Sequence, residues 1–213
     1  GIPHMSLCIE DLHYAYPGRP LFKGLSLRFD SPGLYWIEGG NGCGKTSLLR
    51  LIAGELQPRS GRILLHGQPL AAAQCAWLPA QLEVFDMLSP RQLLDLNADL
   101  PGVDRAAAAK LAADFGLDAV FDLPWRKLSL GTRRKVLLAA HLARPQALLL
   151  LDEPANALDV VARGVLAQAL ARLAGSRLIL LSAHEHQGLD ELGPRPSLRL
   201  PQAEWHHSAT AQA

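Results

Sequence analysis

Short runs that are apolar at every position alternate along this chain with stretches of helical period, and together they predict an α/β protein. Ala147 to Leu151 and Leu178 to Leu181 are aliphatic throughout. A strand that is apolar on both faces belongs in the middle of a parallel sheet covered by helices on each side. Leu7 to Tyr16, Leu25 to Phe29, Gly33 to Glu38 and Arg62 to His66 also read as strands, separated by turn signals at Pro17-Gly18, Pro32-Gly33 and Gly67. Helices are expected from near Lys45 to near Gly54, from Ser129 to Ala143 and from Val160 to Ala174. Between about Asp86 and Leu128 the pattern is helical and alanine-rich, with Ser89-Pro90 and Asp104 as helix starts and no strand signal. This predicts a small α-helical subdomain, about residues 86–143, inserted into an α/β core.

At 213 residues the chain can bury the core of one domain, or of one domain with a small inserted lobe. A composition of 49% hydrophobic and 19% charged residues with net charge +1 is that of a globular protein, and it gives no electrostatic case for nucleic acid or acidic lipid. The longest aliphatic runs are strand-sized, well short of the roughly 20 residues needed to cross a bilayer. Any membrane span is therefore expected from a partner. Residues 1–5, GIPHM, read as a cloning remnant and residues 201–213 as a flexible tail, which leaves one domain over 6–200. Cys8, Cys43 and Cys75 show no metal-ligand spacing and read as free thiols in a reducing cytosol. The triplet Arg133-Arg134-Lys135 reads as a solvated helix face.

Chemistry enters with Gly39-Gly40-Asn41-Gly42-Cys43-Gly44-Lys45-Thr46, which fills every fixed position of the phosphate-binding pattern G-x-x-x-x-G-K-[ST] between a strand and a helix. The glycines let successive backbone N–H groups curl around a β-phosphate, and the helix end adds partial positive charge. Lys45 reaches the β/γ oxygens, Thr46 offers a hydroxyl to Mg²⁺, and Ser47 follows in the same turn. Leu148 to Glu153 is an aliphatic strand ending in two carboxylates at its C-terminal edge, where ligands bind in open α/β sheets. Asp152 would hold Mg²⁺ through water and Glu153 would polarise the attacking water as general base.

From about Ser6 to Leu200 the chain resembles the ATP-binding subunits of ABC transporters. The resemblance is carried by GGNGCGKT, LSLGT, LLLLDEP, NALD (Asn156 to Asp159) and His184 in LSAHE. It implies a P-loop NTPase core with a mainly parallel sheet, an N-terminal antiparallel β-subdomain and the inserted helical subdomain. It also implies two subunits facing head to tail, each ATP lying between the P-loop of one and the signature of the other. On that pattern Gly39, Asn41, Gly42, Cys43, Gly44, Lys45, Thr46 and Ser47 hold ATP, with Tyr16 against the adenine and Tyr14 as the alternative. Ser129, Gly131 and Asp159 would serve the ATP of the partner. Glu153, Lys45 and His184 would carry the reaction, and Thr46 and Asp152 the Mg²⁺.

Three features depart from the pattern or extend it. Leu130 and Thr132 replace the signature's usual glycine and glutamine, which is compatible with a homodimer, the preferred reading, or with an asymmetric heterodimer. The glutamine of the loop that joins sheet to helical lobe falls at Ala80, so Gln81, one place later, is the candidate for the Mg²⁺ contact. The segment TSLLRLIAG is similar to that of the haem-export ATPases of cytochrome c maturation. The function implied is that of an ATPase powering a separate transmembrane permease, cytoplasmic and held at the inner membrane face through that permease. The competing readings are a soluble ABC ATPase of translation or DNA repair, and a P-loop phosphotransferase.

Overall fold

The computed structural model describes residues 6–183, 189, 192 and 195–200, with the backbone of 204–206. In chain order it begins with β1 (Leu7–Tyr16), β2 (Arg19–Phe29), β3 (Gly33–Glu38), α1 (Lys45–Ile52), β4 (Ser60–Leu65), β5 (Gln68–Pro69) and β6 (Cys75–Leu78). Helices α2 (Pro90–Ala98), α3 (Arg105–Asp114) and α4 (Leu130–Leu142) follow. Then come β7 (Leu148–Asp152), α5 (Val160–Leu173), β8 (Leu178–Ser182), β9 (Ser197–Arg199) and β10 (Glu204–His206).

The strands form two sheets. One is antiparallel, in the order β2-β1-β4-β5; the other runs β10-β9-β3-β8-β7-β6 and is parallel except for β10. The aliphatic runs explain the layering. Successive side chains of a strand point to opposite faces, so Leu148, Leu150, Leu178 and Leu180 pack with α1 and the antiparallel sheet. Leu149, Leu151, Ile179 and Leu181 pack with the helices α2 to α5 on the other side. Each fully buried side chain of this kind contributes roughly 1.5–3 kcal/mol, which fixes β7 and β8 as the centre of the molecule.

The helical region starts where its sequence sets it. Ser89 accepts from Gln92 N while the Gln92 side chain accepts from Ser89 N, a reciprocal capping box with Pro90 at the first helical position. Asp104 caps α3 by accepting from Ala107 N. Asn97 ties α2 to α4, donating to Ala140 O at 3.0 Å and accepting from Arg144 Nε at 3.0 Å.

Four strands lack a sequence signal. β5, β6, β9 and β10 have only two to four residues each, too few to display a period of two. β2 begins at Arg19 rather than Leu25, because Pro20 and Gly24 interrupt its alternation while the ladder to β1 continues from Tyr16↔Arg19 onward. Beyond Pro194, where the sequence suggests irregular chain, β9 pairs parallel to β3. Among the described residues no helix is long and apolar enough to cross a membrane.

Candidate functional site

The parallel ladder sets the site. Its register places Ile37 of β3 and Asp152 of β7 both opposite Ser182 of β8. The loop after β3 and the carboxylates after β7 therefore emerge at one sheet edge. Between them the chain turns into α1 through Gly44, whose φ of 112° belongs to the left-handed region. A Cβ there would also lie 3.0 Å from Phe22 and 3.2 Å from Leu21, so glycine alone lets the loop close against β2. Gly44 has no side chain to cap α1, and its first turn holds no acidic residue, which leaves the positive end of the helix facing the cleft.

That cleft has a volume of about 180 Å³ and is lined by Tyr16, Arg19, Leu21, Asn41, Gly42, Gly44, Lys45, Thr46, Ser47 and Glu153. Lys45 is only 6% exposed and donates to Gly39 O at 2.6 Å and Gly40 O at 3.2 Å. The ammonium is thus held at the loop by carbonyl dipoles, a position from which it can swing to an anion. Thr46 Oγ1 donates to Asp152 Oδ2 at 2.8 Å across 106 residues of sequence, and Ser182 donates to the other oxygen of the same carboxylate. Asp152 is 1% exposed. A hydroxyl beside a buried carboxylate is an oxygen pair suited to a hard cation that keeps most of its waters, as Mg²⁺ does. No group of three His, Cys, Asp or Glu suited to a metal occurs among the described residues.

Glu153 has φ +46°, a costly conformation for a residue with a Cβ. Its N–H donates to Ser182 O at 3.2 Å and Ser182 Oγ at 3.0 Å. Tyr16 lies at the mouth of the cleft, its hydroxyl 2.9 Å from Ser47 Oγ and its ring edge-on to Tyr14. Its exposed neighbour Arg19, which sequence reasoning missed, donates to Gly42 O at 2.8 Å. The signal available was its place beside Tyr16 across the Pro17-Gly18 turn.

The remaining candidates lie elsewhere. Gln81 is exposed and is not among the cleft-lining residues. Cys43 and Gly39 do not line the cleft; a Cβ on Gly39 would meet Cys43 Sγ at 2.5 Å. Ser129 caps α4, accepting from Thr132 N at 3.1 Å and lying 2.8 Å from Thr132 Oγ1. A Cβ on Gly131 would sit 2.6 Å from Ala157 O, so the signature keeps glycine where α4 touches the turn before α5. Leu130 is 69% exposed and meets no such limit. Asp159 caps α5 through Ala162 N and pairs with Lys135 at 2.7 Å; these bonds, Lys135 first, hold its carboxyl below the usual range. His184 lies outside the described residues.

The basic triplet is not the solvated face its composition suggests. Lys135 is engaged by Asp159, and Arg133 donates to Trp125 O at 3.1 Å while stacking over its ring. Arg134 is 5% exposed and makes all its contacts inside the protein. Burial lowers its pKa to about 10, opposed by the charges of Asp152 and Glu153. A helix advances about 100° per residue, so three consecutive residues face three directions, and Arg134 shares the stripe of Leu137, Leu138 and His141.

The family profile described as ABC transporter matches residues 22–156. The chain is 34% identical over 203 residues to the cytochrome c biogenesis ATP-binding export protein CcmA of Rhodospirillum rubrum, covering 88% of this chain and 87% of that protein. It is 39% identical over 177 residues to the protein of that name from Pseudomonas fluorescens, covering 78% and 82%. Among solved structures it is similar to an ATP-binding subunit of an ABC transporter, with TM-score 0.82, 23% identity and coverage of 95% and 90%.

Proposed function

This chain belongs to the ABC transporter family as an ATP-binding, ATP-hydrolysing subunit, and we propose that two copies close around two Mg·ATP to drive an export permease in cytochrome c biogenesis. The relatives named for that process, similar over most of both chains, support the cargo pathway. The observation that carries the site is the Thr46–Asp152 hydrogen bond, which joins phosphate loop and carboxylate strand with Glu153 lining the same cleft.

In this reading the loop amides, Lys45 and Ser47 hold the triphosphate of ATP, and the Tyr16 ring packs against the base. Thr46 and Asp152 hold Mg²⁺, which when bound neutralises charge on the phosphate oxygens. Glu153 orients and deprotonates the attacking water. Lys45 draws off charge that builds on the γ-phosphate, with His184 donating to the same group. The partner's signature closes the site with the hydroxyl at the start of its helix, so neither chain alone holds a complete reaction centre. Contact with the membrane is through the permease, and nucleic acid has no part.

The test is Glu153→Gln. Phosphate release should fall at least about 100-fold, the size of a positioned general base, while ATP affinity holds and gel filtration with Mg·ATP shifts the variant to dimer size. Turnover at the unaltered rate would remove Glu153 from its role. A monomer at every concentration would remove the homodimer.

A further inference from the structure

The guanidinium of Arg134 offers five N–H donors in a rigid fork, and five backbone carbonyls converge on it. Nη2 donates to Asp152 O at 2.6 Å and Glu153 O at 3.2 Å; Nε donates to Pro154 O at 3.3 Å; Nη1 donates to Pro79 O at 2.8 Å and Ala80 O at 3.5 Å. These carbonyls belong to two chain segments, the end of β7 and the connector that leaves β6. Arg134 itself stands one turn into α4, the helix that Ser129 caps. One buried side chain therefore ties the signature helix to both.

Glu153 gives this clamp a chemical meaning. Its φ of +46° is costly, and such a conformation persists only where its surroundings over-determine it. The N–H side is fixed by Ser182 and the C=O side by Arg134. We propose that Arg134 is a positioning residue for hydrolysis: by holding the carbonyls of residues 152–154 it keeps Glu153 aimed into the cleft and moves the Pro79–Ala80 connector together with the signature helix. This rests on the reading of Glu153 as the base. Lysine can supply three donors from a point charge without matching the fork, and glutamine supplies two without charge.

The experiment compares Arg134→Lys, Arg134→Gln and Glu153→Gln in the purified full chain, measuring ATP affinity by direct binding and kcat by phosphate release. A misplacement near 1 Å costs about 100-fold in rate. The expected result is a kcat lower by about 100-fold in Arg134→Gln and about 10-fold in Arg134→Lys, on that same scale, with ATP affinity within about twofold of the unaltered protein. A purely structural role would instead lower affinity, kcat and melting temperature together. That outcome, an unaltered kcat in Arg134→Gln, or failure of both variants to fold would overturn the proposal. If Glu153→Gln abolishes turnover while Arg134→Gln leaves kcat unaltered, only the positioning role falls. If Glu153→Gln turns over normally, the reading of the base falls and this proposal with it.

Discussion

At Asp152 one buried carboxylate answers to two hydroxyls, Thr46 on one oxygen and Ser182 on the other. Ser182 also takes the Glu153 N–H, so a single hydroxyl group supports both members of the acidic pair. Removing it leaves a buried acceptor short of a donor, a loss of about 1–3 kcal/mol. Ser182→Ala should therefore lower the unfolding free energy by that amount, read as a lower urea midpoint with an unchanged denaturant slope. An unmoved midpoint would show that the hydroxyl is replaceable. That Lys45, Thr46, Asp152 and Glu153 meet at one sheet edge was legible in the sequence because motifs of fixed spacing follow their strands. Ser182 and Arg134 were not. They act on backbone groups 18 to 55 residues away in sequence, and such contacts leave no pattern in the residues that make them.

At the scale of elements, helix starts were the most legible feature. Ser89, Asp104, Ser129 and Asp159 all cap where sequence placed a start, because the side chain that meets the first-turn amides is local information. The short strands β5, β6, β9 and β10 were invisible because they are held by their neighbours in the sheet. Capping complicates any study of Ser129, since alanine would remove the cap together with whatever the hydroxyl does for a partner's ATP. Aspartate separates the two. It caps as well as serine but sets a negative charge at the end of α4. Ser129→Asp should keep the unfolding free energy within about 0.5 kcal/mol, the range of neutral surface changes. It should cut ATP turnover at least about 10-fold, because like charges at the γ-phosphate cost about 1.4 kcal/mol or more. Unaltered turnover would show that the signature serine serves only its own helix.

The whole molecule is organised around α4, which packs against α2 and α3 and against β6 of the parallel sheet and is buried along most of its length. The sequence conveyed this layering through LLLL and the helical region, but the same burial encloses His141, whose polar ring gave no hint of it. His141 is 5% exposed, and its Nδ1 lies 2.8 Å from Leu137 O. Burial first, then the nearby charges of Arg144 and Arg134, lowers its pKa from 6.5 to about 4, while the bond to Leu137 opposes the shift. The neutral ring is the native form. As pH falls below 6.5, the unfolded chain binds a proton at this position that the native chain refuses, so the contribution is intact above pH 6.5 and lost progressively toward pH 4. Between pH 7 and pH 5 the loss is about 2 kcal/mol. His141→Asn, which cannot titrate, should be less stable at pH 7, yet its urea midpoint should decline less on acidification, so the two curves converge toward pH 5. Curves that stay parallel would mean that the native ring accepts the proton, with α4 parting from its packed neighbours enough to solvate it.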